Sequence, residues 1–307
     1  MSSNWYRIGH VTDTTARTGC TALLFDQHVQ AAVDVRGGAP GTRETTLLGV
    51  GQRGVVDAII LSGGSAFGLS TVDGVMAFLA ERGRGLMTPA GPVPLVPGAI
   101  IYDLGIGDPV HPDASWGRAA AESATYGDYR TGQIGAGTGA TVAKLGHGSH
   151  PSGVGWGFSQ SSLGSVAAIV VLNAVGDVVR PDDGAILCGA VDPEGTGRNG
   201  ADLLRERVGR SRPAENTTIG CLFVDWALDR YALERSAIAA HDGLARTIWP
   251  AHTPFDGDTF FVVSNAPGSP AIQDIASLCV AAAKSVEAAV VGLFDGSAES
   301  GSISGGE

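Results

Sequence analysis

A chain of 307 residues, 44% hydrophobic and only 17% charged, can bury a sizeable core and has little charge to cover its outside, so part of its surface is expected to be buried between subunits. A net charge of −11, from 31 acidic and 20 basic residues, argues against nucleic acid or an anionic membrane surface as partner. The 46 glycines follow no three-residue period, which excludes collagen and points to a tightly wound α/β chain with many close backbone approaches. In chain order, β-rich runs occur at Thr21–Asp26 and Ala31–Arg36, and Val55–Leu61 reads as a buried strand ending in the turn Ser62-Gly63-Gly64. Leu69, Val72, Val75, Met76 and Leu79 recur at helical spacing between Leu69 and Arg82, and a second, Ala-rich helix is expected from Pro112 to Ala124. Ser165–Val179 is apolar and β-branched, and Asn173 and Gly176 divide it into a hairpin-like pair. Pro181 to Asn216 is a long polar connection, and such connections are usually functional or mobile. A strand over Thr217–Val224, a helix over Leu228–Ile248, a strand over Asp258–Ser264 and a helix over Asp274–Leu293 follow. The Gly/Ser-rich stretch from 296 to 307 reads as disordered.

Alternation of strands and helices places the chain in the α/β or α+β class, as a single domain over 1–295. No apolar run reaches the length of a membrane span and the first residues carry no export signal. Cys20, Cys188, Cys221 and Cys279 form neither a zinc spacing nor a disulfide framework. A cytoplasmic protein with no cofactor, no metal and no membrane partner is therefore expected. The Arg-dense stretch Arg205, Arg207, Arg210 and Arg212 is interrupted by Glu206 and reads as a solvated linker.

The most informative motif is ENTTIG at Glu215–Gly220, where the polar linker stops at Asn216-Thr217 and a buried strand begins. Attack of the Thr217 hydroxyl on the Asn216 carbonyl would give an ester by N-to-O acyl shift. Its hydrolysis would leave Thr217 with a free α-amine, whose pKa of about 7.7–8.0 suits it as the base for its own hydroxyl. The bland alternative is that these threonines merely begin a strand. In HTPFDGDTFF at His252–Phe261, Asp256 and Asp258 flank Gly257 ahead of a strand. They could orient the Thr217 amine, could be solvated turn acids, or could bind metal with His252, although the spacing suits neither calcium nor zinc. IGAGTGATVAK at Ile134–Lys144 superficially matches a dinucleotide fingerprint but follows the polar GDYRTGQ and not a strand; the turn could instead bring backbone N–H groups and the Lys144 ammonium to a developing negative charge. LSGGSAFGL at Leu61–Leu69 mimics a nucleophile elbow, but Phe67 stands where the second glycine should be, so Ser65 reads as a helix N-cap.

Together TGCTALLF, RGGAPGTRET, LSGGSAFGL, AIIYDL, GAGTGATVAK, VLNAVGD, NTTIG, AHDGLARTIWPAHT and DGDTFF resemble the self-processing P1 peptidases of the L-aminopeptidase/D-esterase group, peptidase family S58, over nearly the whole chain. That group includes β-peptidyl aminopeptidases and nylon-oligomer hydrolases. The resemblance implies a four-layer αββα sandwich like that of N-terminal-nucleophile hydrolases. It also implies a precursor cut into chains 1–216 and 217–307, and a homo-oligomer, for instance a tetramer of cleaved pairs. It further implies Thr217 as nucleophile, Asp256 and Asp258 as supporting acids, Asn173 as oxyanion or amine contact, and Tyr102 and Lys144 lining a pocket for a small amide or peptide substrate. Many aminopeptidases of the group carry Ser at the nucleophile and at the place of Asp256. Thr and Asp here match the nylon-oligomer (6-aminohexanoate) hydrolases, which leaves L-, D- and β-aminoacyl amides and nylon-type oligomers open as substrates. Two further readings are an acyltransferase of the ornithine acetyltransferase type and a non-catalytic scaffold.

Overall fold

The computed structural model describes residues 4–49, 51–52, 54–192, 194–206 and 216–295. The principal elements are β1 (Tyr6–Asp13), β2 (Thr18–Val35), β3 (Val55–Ser62), α1 (Thr71–Ala80), β4 (Gly98–Ile100), α2 (Ala114–Glu122), β5 (Val154–Ser161), β6 (Gly164–Asn173), β7 (Thr217–Val224), α3 (Arg230–Thr247), β8 (Thr259–Ser264) and α4 (Ile272–Val291). They form a nine-stranded sheet in the order β5-β6-β7-β8-β2-β3-β4, with Thr42–Arg43 at the far edge and β1 paired to β2.

The long strand β2 folds this sheet into two layers. Its pairing to β3 slips between Leu24 and Val29, and its later residues, Gln30–Val35, pair antiparallel with β8. Alternate side chains of a strand point to opposite faces. Leu23, Phe25 and Ala31 therefore face a common middle core, which also holds Ile59 and Leu61 of β3, Ile169 and Val171 of β6, Ile219 and Cys221 of β7 and Phe261 of β8. On the other face, Cys20, Ala22 and Leu24 pack with Val72, Val75 and Leu79 of α1 and Ala120 of α2. Further along β2 the same face packs Ala32 with Leu233, Ala237 and Leu244 of α3 and Leu278 and Val286 of α4. Three cores thus separate four layers, α1/α2, sheet, sheet and α3/α4, which is the αββα arrangement expected.

Several elements differ from the sequence reading. Thr21–Asp26 and Ala31–Arg36, save Arg36 itself, belong to one bent strand, and β1 and β5 have no counterpart in the sequence reading. Ser165–Val179 is not a hairpin: β6 ends at Asn173, and Asp177–Val179 joins a separate small sheet with Ile186–Cys188 and Ile248–Trp249. The polar connection contains the strand Ile186–Cys188 and a helix, Gly200–Glu206, while Arg207, Arg210, Arg212 and the stretch 296–307 lie outside the described residues. The helices follow their apolar spacing, and two begin on acidic caps: Asp113 accepts from the N–H groups of Ser115 and Trp116, and Asp229 from that of Ala232. Among the described residues no helix is long and apolar enough to cross a membrane.

Candidate active site

Three strand ends meet at one point of the molecule. β6 and β7 are antiparallel, so the last residue of β6, Asn173, lies opposite the first of β7, Thr217. β7 and β8 are parallel, joined through α3, so their starts coincide: Asn216 bridges Asp256, and Ile219 pairs with Thr259. Parallel pairing therefore brings the Asp256-Gly257-Asp258 turn beside Thr217 across 40 residues of sequence. Alternation along β7 puts Thr217 on the same side as Ile219 and Cys221, toward the middle core, where the two sheet layers begin to part. Thr217, Asn216, Asn173, Asp256 and Asp258 are all buried.

The Thr217 hydroxyl donates to the Asn216 carbonyl oxygen. The same carbonyl accepts the Gly257 N–H at 3.0 Å. Gly257 is glycine because nothing larger fits: a β-carbon would come within 2.8 Å of both Thr217 Oγ1 and the Ala39 carbonyl oxygen. Asp258 Oδ1 accepts the Thr218 N–H at 2.7 Å, and its Oδ2 accepts the backbone N–H of His252 at 3.1 Å and lies 2.8 Å from His252 Nδ1. Asp256 Oδ2 accepts from the Thr253 N–H at 2.9 Å and the Thr253 hydroxyl at 2.6 Å; its Oδ1 is buried and has no close hydrogen-bond partner among the described residues. Burial, and next the neighbouring Asp258 carboxylate, push the Asp256 carboxyl up to about 6. The two acids do not bond to each other; each has its own partner in the His252-Thr253 turn.

On the opposite flank, Asn173 Oδ1 accepts from Lys144 Nζ at 2.7 Å and from the Thr141 N–H at 3.0 Å, Lys144 Nζ also donates to the Asn173 carbonyl at 3.1 Å, and Asn173 Nδ2 donates to the Tyr102 carbonyl at 3.1 Å. The glycine-rich turn thus delivers Lys144 to the end of β6, and Tyr102 reaches the site through its backbone. It is pinned on β1 and β2: the Gly135 N–H donates to Thr12 Oγ1 at 2.8 Å and the Ala136 N–H to Thr21 Oγ1 at 3.1 Å. Ser65 is not an N-cap. Gly64 holds that position and Ser65, at φ 53°, is the first residue of the short helix Ser65–Gly68, its N–H donating to the Ile101 carbonyl. All six sequence-derived positions, Thr217, Asn216, Asp256, Asp258, Asn173 and Lys144, together with the Tyr102 backbone, fall in one connected network. Among the described residues no group of three or more His, Cys, Asp or Glu is placed to hold a metal ion. Sequence reasoning treated His252 only as a possible metal ligand; its signal was its place six residues before Asp258 in one turn.

Four layers, with a hydroxyl residue opening a central strand and carboxylates at the adjoining strand end, define the class of N-terminal-nucleophile-like hydrolase folds. Comparison with known proteins agrees. The sequence model of peptidase family S58 matches residues 6–301. A Mycobacterium bovis protein named as an uncharacterized aminopeptidase is 41% identical over 268 residues, 80% of this chain and 73% of that protein. A 6-aminohexanoate-oligomer endohydrolase of Kocuria sp. is 34% identical over 257 residues, 80% of this chain and 69% of that protein. The L-aminopeptidase D-Ala-esterase/amidase of Ochrobactrum anthropi, described as a variant of the Ntn hydrolase fold, superposes with a TM-score of 0.65 at 18% identity, over 94% of this chain and 83% of that one. The chain belongs to peptidase family S58 and is a hydrolase of peptide or amide bonds.

Proposed function

We propose that this protein cleaves itself between Asn216 and Thr217 and then hydrolyses short peptide-like or oligomeric amides through an acyl-enzyme on Thr217. The observation that carries the reading is the contact of the Thr217 hydroxyl with the Asn216 carbonyl, whose oxygen also accepts the Gly257 N–H. In self-cleavage, Thr217 Oγ1 adds to the Asn216 carbonyl carbon, and the Gly257 N–H donates to the oxyanion that forms. Collapse breaks the C–N bond, passes the hydroxyl proton to the departing nitrogen and leaves an ester. Water then hydrolyses the ester, releasing the Asn216 carboxylate and restoring the Thr217 hydroxyl beside the amine already freed.

In turnover the amine takes the Oγ1 proton as Oγ1 attacks the substrate carbonyl, and returns it to the leaving amine. Water hydrolyses the resulting ester and restores Thr217. Lys144, held by both oxygens of Asn173, supplies positive charge for the developing oxyanion, and Asn173 fixes its position. Asp258 holds the Thr218 N–H and so the strand start, while Asp256 orients the amine. Tyr102, whose backbone carbonyl accepts from Asn173 Nδ2, is assigned to the substrate side of the site. Four free cysteines fit a reducing compartment, and we place the enzyme in the cytoplasm as an oligomer of cleaved pairs.

N-terminal sequencing of the purified protein tests the reading. The small chain is expected to begin at Thr217, and Thr217→Ala is expected to remain one uncut, inactive chain. A small chain starting elsewhere, or an active Thr217→Ala, refutes it. A panel of β-, D- and L-aminoacyl amides and linear or cyclic 6-aminohexanoate oligomers, offered to processed enzyme, then assigns the substrate; turnover of internal bonds in the oligomers marks the endo-type activity named for the Kocuria relative.

A further inference from the structure

The acid turn has an imidazole behind it that the mechanism above leaves unused. His252 directs both its backbone N–H and its Nδ1 at a single oxygen, Asp258 Oδ2, at 3.1 and 2.8 Å. The backbone bond alone would hold the turn, so the ring adds something else. His252 adopts φ 55°, a left-handed backbone that histidine, like asparagine and aspartate, accepts more readily than most other non-glycine residues.

We propose that His252 is a positioning residue of this site, whose imidazole grips Asp258 Oδ2 and keeps Oδ1 aimed at the Thr218 N–H, and thereby fixes Thr217. This rests on the reading of Thr217 as nucleophile. The surroundings favour a cation on His252 and not on its neighbour. From α3, the ring of His241 lies edge-on with centroids 4.9 Å apart; burial depresses its pKa to about 4, and its Nε2 is bonded to the Asp34 carbonyl at 3.0 Å, so it is neutral near pH 7. From the end of β2, Arg36 opposes a second positive charge, but its Nε is tied to Asp34 Oδ2 at 2.6 Å. Burial also works against the charge on His252, yet the Asp258 carboxylate outweighs it and lifts the imidazole above its ordinary range. The consequence is a division between the two acids. Asp258 has the His252 ring on Oδ2 and the Thr218 N–H on Oδ1. Asp256, with no cation beside it among the described residues, retains a proton until about pH 6.

His252→Asn tests this, because asparagine tolerates the left-handed backbone and offers a neutral donor at the δ position. Without the positive charge the ring can carry, the Thr217 amine beside the acids holds its proton more tightly. The acid limb of kcat/KM is expected to move up by about one pH unit, the low end of the shift an opposite charge produces. At neutral pH kcat is expected to fall roughly tenfold with KM unchanged, the worth of one charge-assisted hydrogen bond. An acid limb that stays in place, whatever happens to kcat or the melting temperature, overturns the proposal. NMR titration of the histidine imidazoles in Thr217→Ala provides a readout free of turnover. His252 is expected to titrate above the ordinary range there and to fall below it when Asp258→Asn is added. Absence of that fall overturns the proposal even where His252→Asn yields no folded protein. If Thr217→Ala retains activity, the nucleophile assignment fails instead, and the titration shows which of the two was at fault.

Discussion

Asp256 is the residue whose chemistry and stability pull in opposite directions. Its pKa in the folded protein, about 6, lies above that of an exposed aspartate, so the native state binds a proton that the unfolded chain releases between about pH 4 and pH 6. Through that window the contribution of Asp256 to stability declines as pH rises, and above it the buried carboxylate is a standing cost. Asp256→Asn, which keeps an acceptor for Thr253, is therefore expected to melt higher than wild type at pH 7, with the difference vanishing near pH 4; thermal melts at the two pH values check this. The same substitution is expected to slow turnover by about 10²–10⁴-fold, the range for a positioned acid or base, and Asp258→Asn by a similar factor. Kinetics on processed protein should find the double variant little worse than the worse single, because groups acting together are not additive. Near wild-type rates in both single variants would make these aspartates turn residues only. The wild-type acid limb is expected where the Thr217 amine gives up its proton, at about pH 7.7–8.0 for an α-amine.

The active-site strand ends stay aligned only while the outer helices lie flat on the sheet. At the β5 edge, α4 packs directly on backbone: a β-carbon at Gly155 would come within 2.1 Å of the Ala289 carbonyl oxygen, and one at Gly157 within 1.9 Å of that of Ser285. Backbone on both sides cannot yield as a flexible side chain can. Gly157→Val is therefore expected to destabilise the protein by about 1–3 kcal/mol or more, the range for overpacking a close contact. A denaturant melt reads this directly, and an unchanged midpoint would mean that α4 lifts away at little cost. Pairing of β6 with β7 lies one strand further in, so self-cleavage of a folded Gly157→Val protein should still occur, at a slower rate.

At the scale of the whole molecule, a net charge of −11 is spread over a chain with only 17% charged residues, and apolar side chains such as Met87, Val280, Ile272 and Trp249 stand largely exposed. Oligomerisation would bury surface of this kind, and light scattering of the processed protein at micromolar concentration is expected to give a mass of several cleaved pairs; the mass of one pair would count against it. Much of the fold was legible in the chain itself. Helical spacing from Leu69, the Ala-rich run after Pro112 and the apolar runs at Val55 and Thr217 are local signals, because the hydrogen bonds and exposed faces they specify lie within a few residues. Contiguous motifs carried the family resemblance, and through it Thr217, Asp256, Asp258, Asn173, Lys144 and Tyr102 were named together. Only the tertiary structure decided how they are joined. Two runs either side of Val29 became one bent strand that connects the sheet layers, and Ser165–Val179 divided between two sheets, because strand partners are chosen by distant segments and not by the strand's own residues. The same holds for the site: parallel pairing of β7 with β8 seats Thr217 beside the acid turn, and the packing of α3 on that sheet places neutral His241 against His252. Neither the bonding partner nor the charge of an ionisable group is written in its residue type; both follow from which groups burial leaves beside it.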